Sequence, residues 1–211
     1  MGPAFSFLPD SIPYLCAVKK LVESRLPISA GAFKLIAFGE EGEAQPHLAL
    51  IATPPHRMDS EIPLVRVHSE CMTGDVFGST RCDCGEQLNQ SLLRIAANGG
   101  CLIYLRQEGR GIGLVEKLKA YNLQDDGMDT VEANLALGHP VDARDFQVAA
   151  EILNLLELGN IRLLTNNPEK VAALQHYGIV VERRESLIIS PVAENEAYLA
   201  VKKAILGHWL D

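Results

Sequence analysis

"IRLLTNNPEKVAALQHYGIVVER", residues 161–183, decides the fold class. Ile161–Thr165 reads as a buried strand and "NNP" as a turn. The helix of "EKVAALQHYG" starts just after Pro168, which suits a first helical turn, and stops at Gly178. Ile179–Arg183 reads as the next strand. A strand, a helix and a strand of these lengths form a βαβ unit with parallel pairing. Outward from it, Glu194–Leu206 reads as a C-terminal helix. Upstream, "DARDFQVAAEILNLLELG" (142–159) predicts a strong helix. Phe146, Ala149, Leu153 and Leu156 form its apolar stripe, Asp142 is its candidate N-cap, and Gly159 ends it. "LVEKLKAYNL" (114–123) predicts another helix, and Cys101–Leu105 a buried strand. "EQLNQSLLRIAANGG" (86–100) puts Leu88, Leu92 and Ile95 on one helical face, with Gly99 as the stop. The first half differs. Ala32–Phe38, Leu48–Ala52 and Ile62–His68 are strand-like runs between Gly, Pro and charged turns, after a short helix around Tyr14–Ser24. The expected class is α/β, mixed sheets with flanking helices: an N-terminal β-rich half, then an α/β half containing the βαβ unit.

The totals narrow the function. The chain has 211 residues, 47% apolar and 22% charged, which suits a folded protein with a sizeable core. A net charge of −8 argues against broad nucleic-acid or membrane binding, though not against a local basic pocket. No apolar run is long enough to predict a membrane span, and no basic region opens a secretory signal. Met1–Ser6 matches a myristoylation pattern, but no polybasic second anchor accompanies it. Five cysteines, odd in number and unevenly spaced, do not form a disulfide framework. A cytoplasmic location, with thiols free to hold metal, is expected.

Three of those cysteines lie in "CMTGDVFGSTRCDCG" (71–85): Cys71, Cys82 and Cys84, spaced C-x10-C-x-C. Three readings compete. They are buried small hydrophobes; a structural zinc site completed by a distant His or Cys; or a catalytic zinc with three thiolates and an open fourth position for water. The third implies hydrolysis or deamination of an electrophile. Cys82 and Cys84 converge only if the backbone curves, and Gly74, Gly78 and Gly85 supply that freedom. Cys84 also lies just ahead of a predicted helix, whose positive end favours thiolate.

The other polar clusters point to phosphate. "RQEGRGIG" (106–113) carries Arg106, Arg110 and three glycines between a strand and a helix, and can offer guanidinium forks and backbone N–H groups. Thr165 lies at the end of a predicted strand, where ligands of α/β sheets gather. Taken alone, Lys170 on the following helix reads as a solvated residue. Taken alone, Asp142 and Arg144 read as a helix cap and an exposed first-turn residue.

Taken together, the chain resembles one family, GTP cyclohydrolase II. The resemblance is carried, in order, by "RVHSECMTGDVFGSTRCDCGEQL", "RQEGRGIGL", "AYNLQDDGMDTVEAN", "VDARDF" and "LLTNNPEK", and spans residues 25–210. It implies a catalytic domain over 25–211 after an N-terminal extension, 1–24. It implies a zinc held by Cys71, Cys82 and Cys84. It implies a GTP site lined by Arg66, Val67, His68, Ser69, Glu70, Gln87, Glu108, Gly109, Arg110, Thr130, Thr165 and Lys170. Asp142 would be the proton acceptor, Arg144 the nucleophile, and Tyr121 would sit beside the purine. The implied reaction, with Mg²⁺ on the triphosphate, converts GTP to formate, pyrophosphate and a diaminopyrimidine at the entry to riboflavin biosynthesis; the family is dimeric. An arginine nucleophile must lose a proton from a group with pKa above about 12, so an electrostatic clamp is the alternative role for Arg144. Two other classes compete: a nucleotide-binding scaffold without turnover, and a zinc deaminase, which usually carries H-x-E and P-C-x-x-C. "ERRESL" (182–187) is one residue longer than the family pattern. Val115, Glu116 and Met72 also depart from it. The companion synthase domain of some relatives is not expected within 211 residues.

Overall fold

The structure, a computed structural model, describes residues 18–52 and 62–210. The Met1–Ser6 pattern lies outside the described residues. In them, seven strands form one mixed sheet in the order β1-β2-β3-β5-β4-β6-β7. β1 (Lys19–Ile28), β2 (Gly31–Gly39) and β3 (His47–Ala52) are antiparallel, and β3 pairs antiparallel with β5 (Gly100–Leu105). From there β5, β4 (Leu64–Ser69), β6 (Asn160–Leu164) and β7 (Val180–Glu185) run parallel. The expected β-rich half and α/β half are therefore two parts of a single sheet.

Side-chain alternation divides the core. Val65, Val67, Ile103, Leu105, Ile161 and Leu163 point to one face, covered by α5 (Gln147–Leu155) and α6 (Pro168–His176). Leu64, Leu102 and Leu164 point to the other, covered by Ile95 of α2 (Cys84–Asn98). Strands buried on both faces read as the continuous apolar runs seen in the sequence. The chain steps from β4 out to β5, then back across β4 to β6. The crevice beyond the carboxyl ends of β4, β5 and β6 is where α/β sheets place ligands.

Two expectations need correction. Of the helix expected over Tyr14–Ser24, the part from Lys19 on is strand β1 instead, and Tyr14–Ala17 lie outside the described residues. "KKLVESRLPI" lacks strand alternation and is mostly exposed, so pairing with β2 overrides its local preference. The expected domain boundary at 24/25 falls inside this strand. The helix expected from Asp142 begins at Gln147. Asp142 is engaged with Arg144, and Asp145 Oδ1 accepts from the Gln147 N–H at 2.8 Å. The sequence reading also left out α4 (Thr130–Ala136), whose signal was a D-x-x-E capping box: Asp129 and Glu132 each accept from the other's backbone. In "ERRESL", the β6–β7 register passes from Ile161↔Val181 to Arg162↔Arg183, so Glu182 is taken up as a bulge.

Candidate active site

The site begins at the end of β4, where the chain leaves Ser69 and folds Cys71 over α1 (Met72–Asp75). The Asp75 carboxylate fastens this loop. It accepts from the Cys71 N–H at 3.0 Å and the Tyr104 hydroxyl at 2.8 Å, and lies 3.0 Å from His68 Nε2. The His68 and Tyr104 rings stack at 5.4 Å, being cross-strand neighbours on β4 and β5. Burial lowers the pKa of His68, with Asp75 opposing, and burial followed by the Asp75 charge raises that of Tyr104.

The three thiols do converge. The Sγ atoms of Cys71, Cys82 and Cys84 all lie within 4.8 Å of one another, Cys71 and Cys82 at 3.6 Å. Zn–S bonds of about 2.3 Å in a tetrahedron place sulfurs roughly 3.8 Å apart, so the set fits such an ion. The convergence draws on a left-handed Gly78, at φ 65°, and on close approach of Gly74 to Gly85. A Cβ at Gly85 would lie 2.3 Å from the Gly74 carbonyl oxygen. Cys84 is the first residue of α2 rather than lying just ahead of it. Hydrogen bonds with Cys82 and Cys84 drive the Cys71 thiol far down, with help from Lys117; the hydrogen bond with Cys71 pushes Cys82 up to about 11, and those with Cys71 and Cys82 raise Cys84.

Lys117 was missed in the sequence. Its Nζ lies 3.1 Å from Cys71 Sγ and 2.8 Å from Glu108 Oε1, while Glu108 Oε2 accepts from the Met72 N–H at 2.6 Å. It sits on α3 (Leu114–Asp125), one turn before Tyr121, and that i, i+4 spacing was the available signal. The Tyr121 hydroxyl is 3.4 Å from Thr73 Oγ1, which is 3.7 Å from Cys71 Sγ. Burial raises the Tyr121 pKa, partly offset by Thr73 and Lys117. Arg81 lies over the ring at 4.9 Å.

Cations gather across the same pocket. Arg66, buried on β4, donates to the Leu164 carbonyl at 3.0 Å and to Gln87 Oε1; Gln87 Nε2 in turn donates to Asp83 Oδ2 at 2.6 Å. Burial brings the Arg66 pKa down to about 10. Lys170 is 4% exposed, which overturns the solvated reading, and its Nζ donates to the Val67 carbonyl at 2.7 Å. Burial, then Arg66 and Arg144, push its pKa well below the usual lysine value. The Val67 side chain itself belongs to the core. Arg144 is no exposed first-turn residue: its guanidinium engages both Asp142 oxygens, with Nε at 2.9 and 3.1 Å and Nη2 closer still. Burial works against both charges, yet the pairing wins, lowering the Asp142 pKa and raising that of Arg144.

The loop after β5 forms a 3-10 turn, Glu108–Gly111, with Gly109 and Arg110 at φ near +60°. A left-handed arginine is uncommon and strained. It turns Arg110 into the pocket, where Nη1 is buried without a hydrogen-bond partner among the described residues. Arg106, the other phosphate candidate, is instead paired with Glu70 at 2.8 Å. Burial raises the Glu70 pKa against that pairing.

One pocket is thus lined by the three cysteines, Tyr121, Arg66, His68, Ser69, Glu70, Gln87, Glu108, Gly109, Arg110, Thr130, Arg144, Thr165 and Lys170. Asp142 stands behind Arg144 rather than on the wall. Arg66 Nε, His68 Nδ1, Ser69 Oγ and Arg110 Nη1 are buried there without partners among the described residues, so the wall is built for a polar ligand. Tyr198, Lys202 and His208, which the sequence reading did not single out, also line it.

The riboflavin biosynthesis protein RibBA of Phocaeicola vulgatus is 49% identical over 194 residues, 92% of this chain and 48% of that protein. RibBA of Bacillus mycoides is 50% identical over 195 residues, 92% of this chain and 49% of that protein. The chain therefore spans about half the length of these relatives. Among solved structures, RibBX, a two-domain 3,4-dihydroxy-2-butanone 4-phosphate synthase from A. baumannii, matches with a TM-score of 0.41 and 21% identity, over 82% of this chain and 41% of that one. The profile of GTP cyclohydrolase II matches residues 19–186 and takes in the thiol cluster and the cationic wall together, and the chain belongs to that family.

Proposed function

We propose that this chain is a zinc-dependent GTP cyclohydrolase of the cytoplasm, acting as a homodimer at the first step of riboflavin biosynthesis. It hydrolyses GTP with Mg²⁺ on the triphosphate. It opens the guanine imidazole ring and releases formate and pyrophosphate, leaving 2,5-diamino-6-ribosylamino-4(3H)-pyrimidinone 5′-phosphate. The observation that carries this reading is that the thiol cluster and four cations, Arg66, Arg110, Arg144 and Lys170, face one pocket. Such a pocket suits a ligand with an electrophilic ring at one end and phosphates at the other. Among the described residues no helix is long and apolar enough to cross a membrane.

Cys71, Cys82 and Cys84 would hold the zinc, which when bound supplies Lewis acidity and hydroxide at neutral pH. Lys117 steadies the charge on Cys71. Tyr121 keeps its proton and, anchored through Thr73, orients the attacking water at C8 or protonates the opening ring. Arg66, Gln87 and the strip from His68 to Glu70 line the guanine end, with Glu108 and Thr130 across from them. Arg110, Arg144 and Lys170 stabilise charge developing on the phosphates. The ion pair with Asp142 raises the Arg144 pKa, which favours an electrostatic clamp, with water attacking phosphorus, over an arginine nucleophile.

The test is incubation of zinc-loaded protein with GTP and Mg²⁺, with ATP as control, following formate, pyrophosphate and the diaminopyrimidine. Formate and pyrophosphate from GTP alone are expected. Ammonia in place of formate would convert the reading to a deaminase, and tight binding without product to a scaffold. A covalent guanylyl adduct on Arg144 in a single turnover would refute the clamp.

A further inference from the structure

The family profile ends at residue 186, yet part of the pocket wall comes after it. α7 (Glu196–Ala204) and the residues that follow bring Tyr198, Lys202 and His208 to the pocket. Lys202 Nζ donates to Asp83 Oδ1 at 2.9 Å, with side chains only 10% and 2% exposed. The His208 N–H donates to the Lys202 carbonyl at 3.0 Å and the Trp209 N–H to the Asn166 carbonyl at 2.9 Å. Arg184 covers the Trp209 ring at 4.9 Å. This segment is fastened both to the loop between Cys82 and Cys84 and to the turn after β6.

What it faces is cationic. The charges of Lys202, Arg144, Lys170 and Arg110 all bear on His208; burial and those four cations hold its pKa down at about 3, so the imidazole is neutral at physiological pH. The Arg110 guanidinium lies 6.0 Å from the Tyr198 ring centre, and its Nη1 is one of the buried atoms without a partner. Asp83 and Asp142 balance Lys202 and Arg144, but Lys170 and Arg110 have no carboxylate partner among the described residues, so the cluster as a whole gains from an entering anion. A neutral imidazole and a phenol add hydrogen-bonding capacity there without adding to the repulsion.

We propose that the segment 196–209 forms the polyphosphate-facing wall of the site, with Tyr198 and His208 hydrogen-bonding the outer phosphates and so selecting a triphosphate over a monophosphate. This rests on the cyclohydrolase reading only for the guanine end of the ligand. Binding to the full-length, zinc-loaded protein is measured with inorganic tripolyphosphate, a non-hydrolysable GTP analogue and GMP. The variants are His208→Ala and the near-isosteric Tyr198→Phe. Each is expected to weaken tripolyphosphate and the GTP analogue about tenfold, the scale of a lost hydrogen bond to a charged group. GMP should change by less than about twofold, which also reports that the variant is folded. Equal weakening of all three ligands, or of none, overturns the proposal. If the wild type binds tripolyphosphate but does not prefer the GTP analogue to its ATP counterpart, the cyclohydrolase reading fails while the wall is still judged by tripolyphosphate.

Discussion

The two ends of the pocket are charged by opposite rules. Around the thiols, charges come with partners: Asp75 with His68 and two hydrogen-bond donors, and Lys117 between Cys71 and Glu108. Around the phosphate end, charges are left short of counterions. Lys170 donates to a neutral acceptor and Arg110 keeps an unpartnered nitrogen, while Arg144 alone among the three is matched, by Asp142. A metal site must be rigid and preset before the ion arrives, because ligand geometry decides which ion it keeps. An anion site gains from leaving its cations under-compensated, since the ligand then relieves a cost that the fold has borne. Under the proposed function, the difference fits two ends that serve two parts of one ligand.

The largest effect should come from breaking the preset end. Cys84→Ser removes one of three thiolates at the start of α2, and bound zinc should fall well below one per chain. Formate release should fall by at least about 100-fold, since loss of even an outer partner of a metal ligand costs 10–100-fold. Full zinc content with normal turnover would dissolve the contrast. Next comes Lys170→Met at the under-compensated end. Turnover of GTP should fall by about 100-fold or more. The thermal midpoint should hold or rise, by up to about 2 kcal/mol in stability, because a buried charge without a counterion is replaced by an apolar chain. A melt lowered by several kcal/mol would mean that Lys170 holds the fold together, and the two ends would then obey one rule.

Tyr121→Phe tests the junction between the ends, with a smaller expected loss of about 10–100-fold. Formate release should suffer more than pyrophosphate release, because the phenol lies near Thr73 and the thiols. Equal loss of both products would make it a general binding residue. The same junction marks the limit of what the sequence made legible. Spacing in the chain reported the thiols, because Cys71, Cys82 and Cys84 are neighbours in one loop. Apolar runs reported β4, β5 and β6, hence the crevice at their ends. Lys117 beside Cys71 and Lys202 beside Asp83 are separated from their partners by 46 and 119 residues. Such contacts exist only once the sheet has ordered its strands, and no local period announces them. β1 failed for the same reason: its strand state comes from β2 and not from its own residues.

The smallest effect should appear in acid stability, at the cationic end. His208 has an ordinary pKa near 6.5 when unfolded and about 3 in the fold, from burial and from Lys202, Arg144, Lys170 and Arg110. Between those values the unfolded chain binds a proton that the folded chain refuses. Stability therefore falls as pH drops through that window, and above pH 6.5 it is flat on this account because neither state is then protonated. His208→Gln keeps a neutral donor and acceptor but cannot titrate. Its unfolding free energy, followed by denaturant titration from pH 7 to pH 4, should fall less steeply than that of the wild type. Saturating tripolyphosphate should narrow the gap between the two proteins, because an anion among the four cations removes part of the repulsion that keeps the imidazole neutral. A variant whose acid slope matches the wild type would place His208 outside the cationic cluster, and the phosphate end would then lose its most sensitive reporter of uncompensated charge.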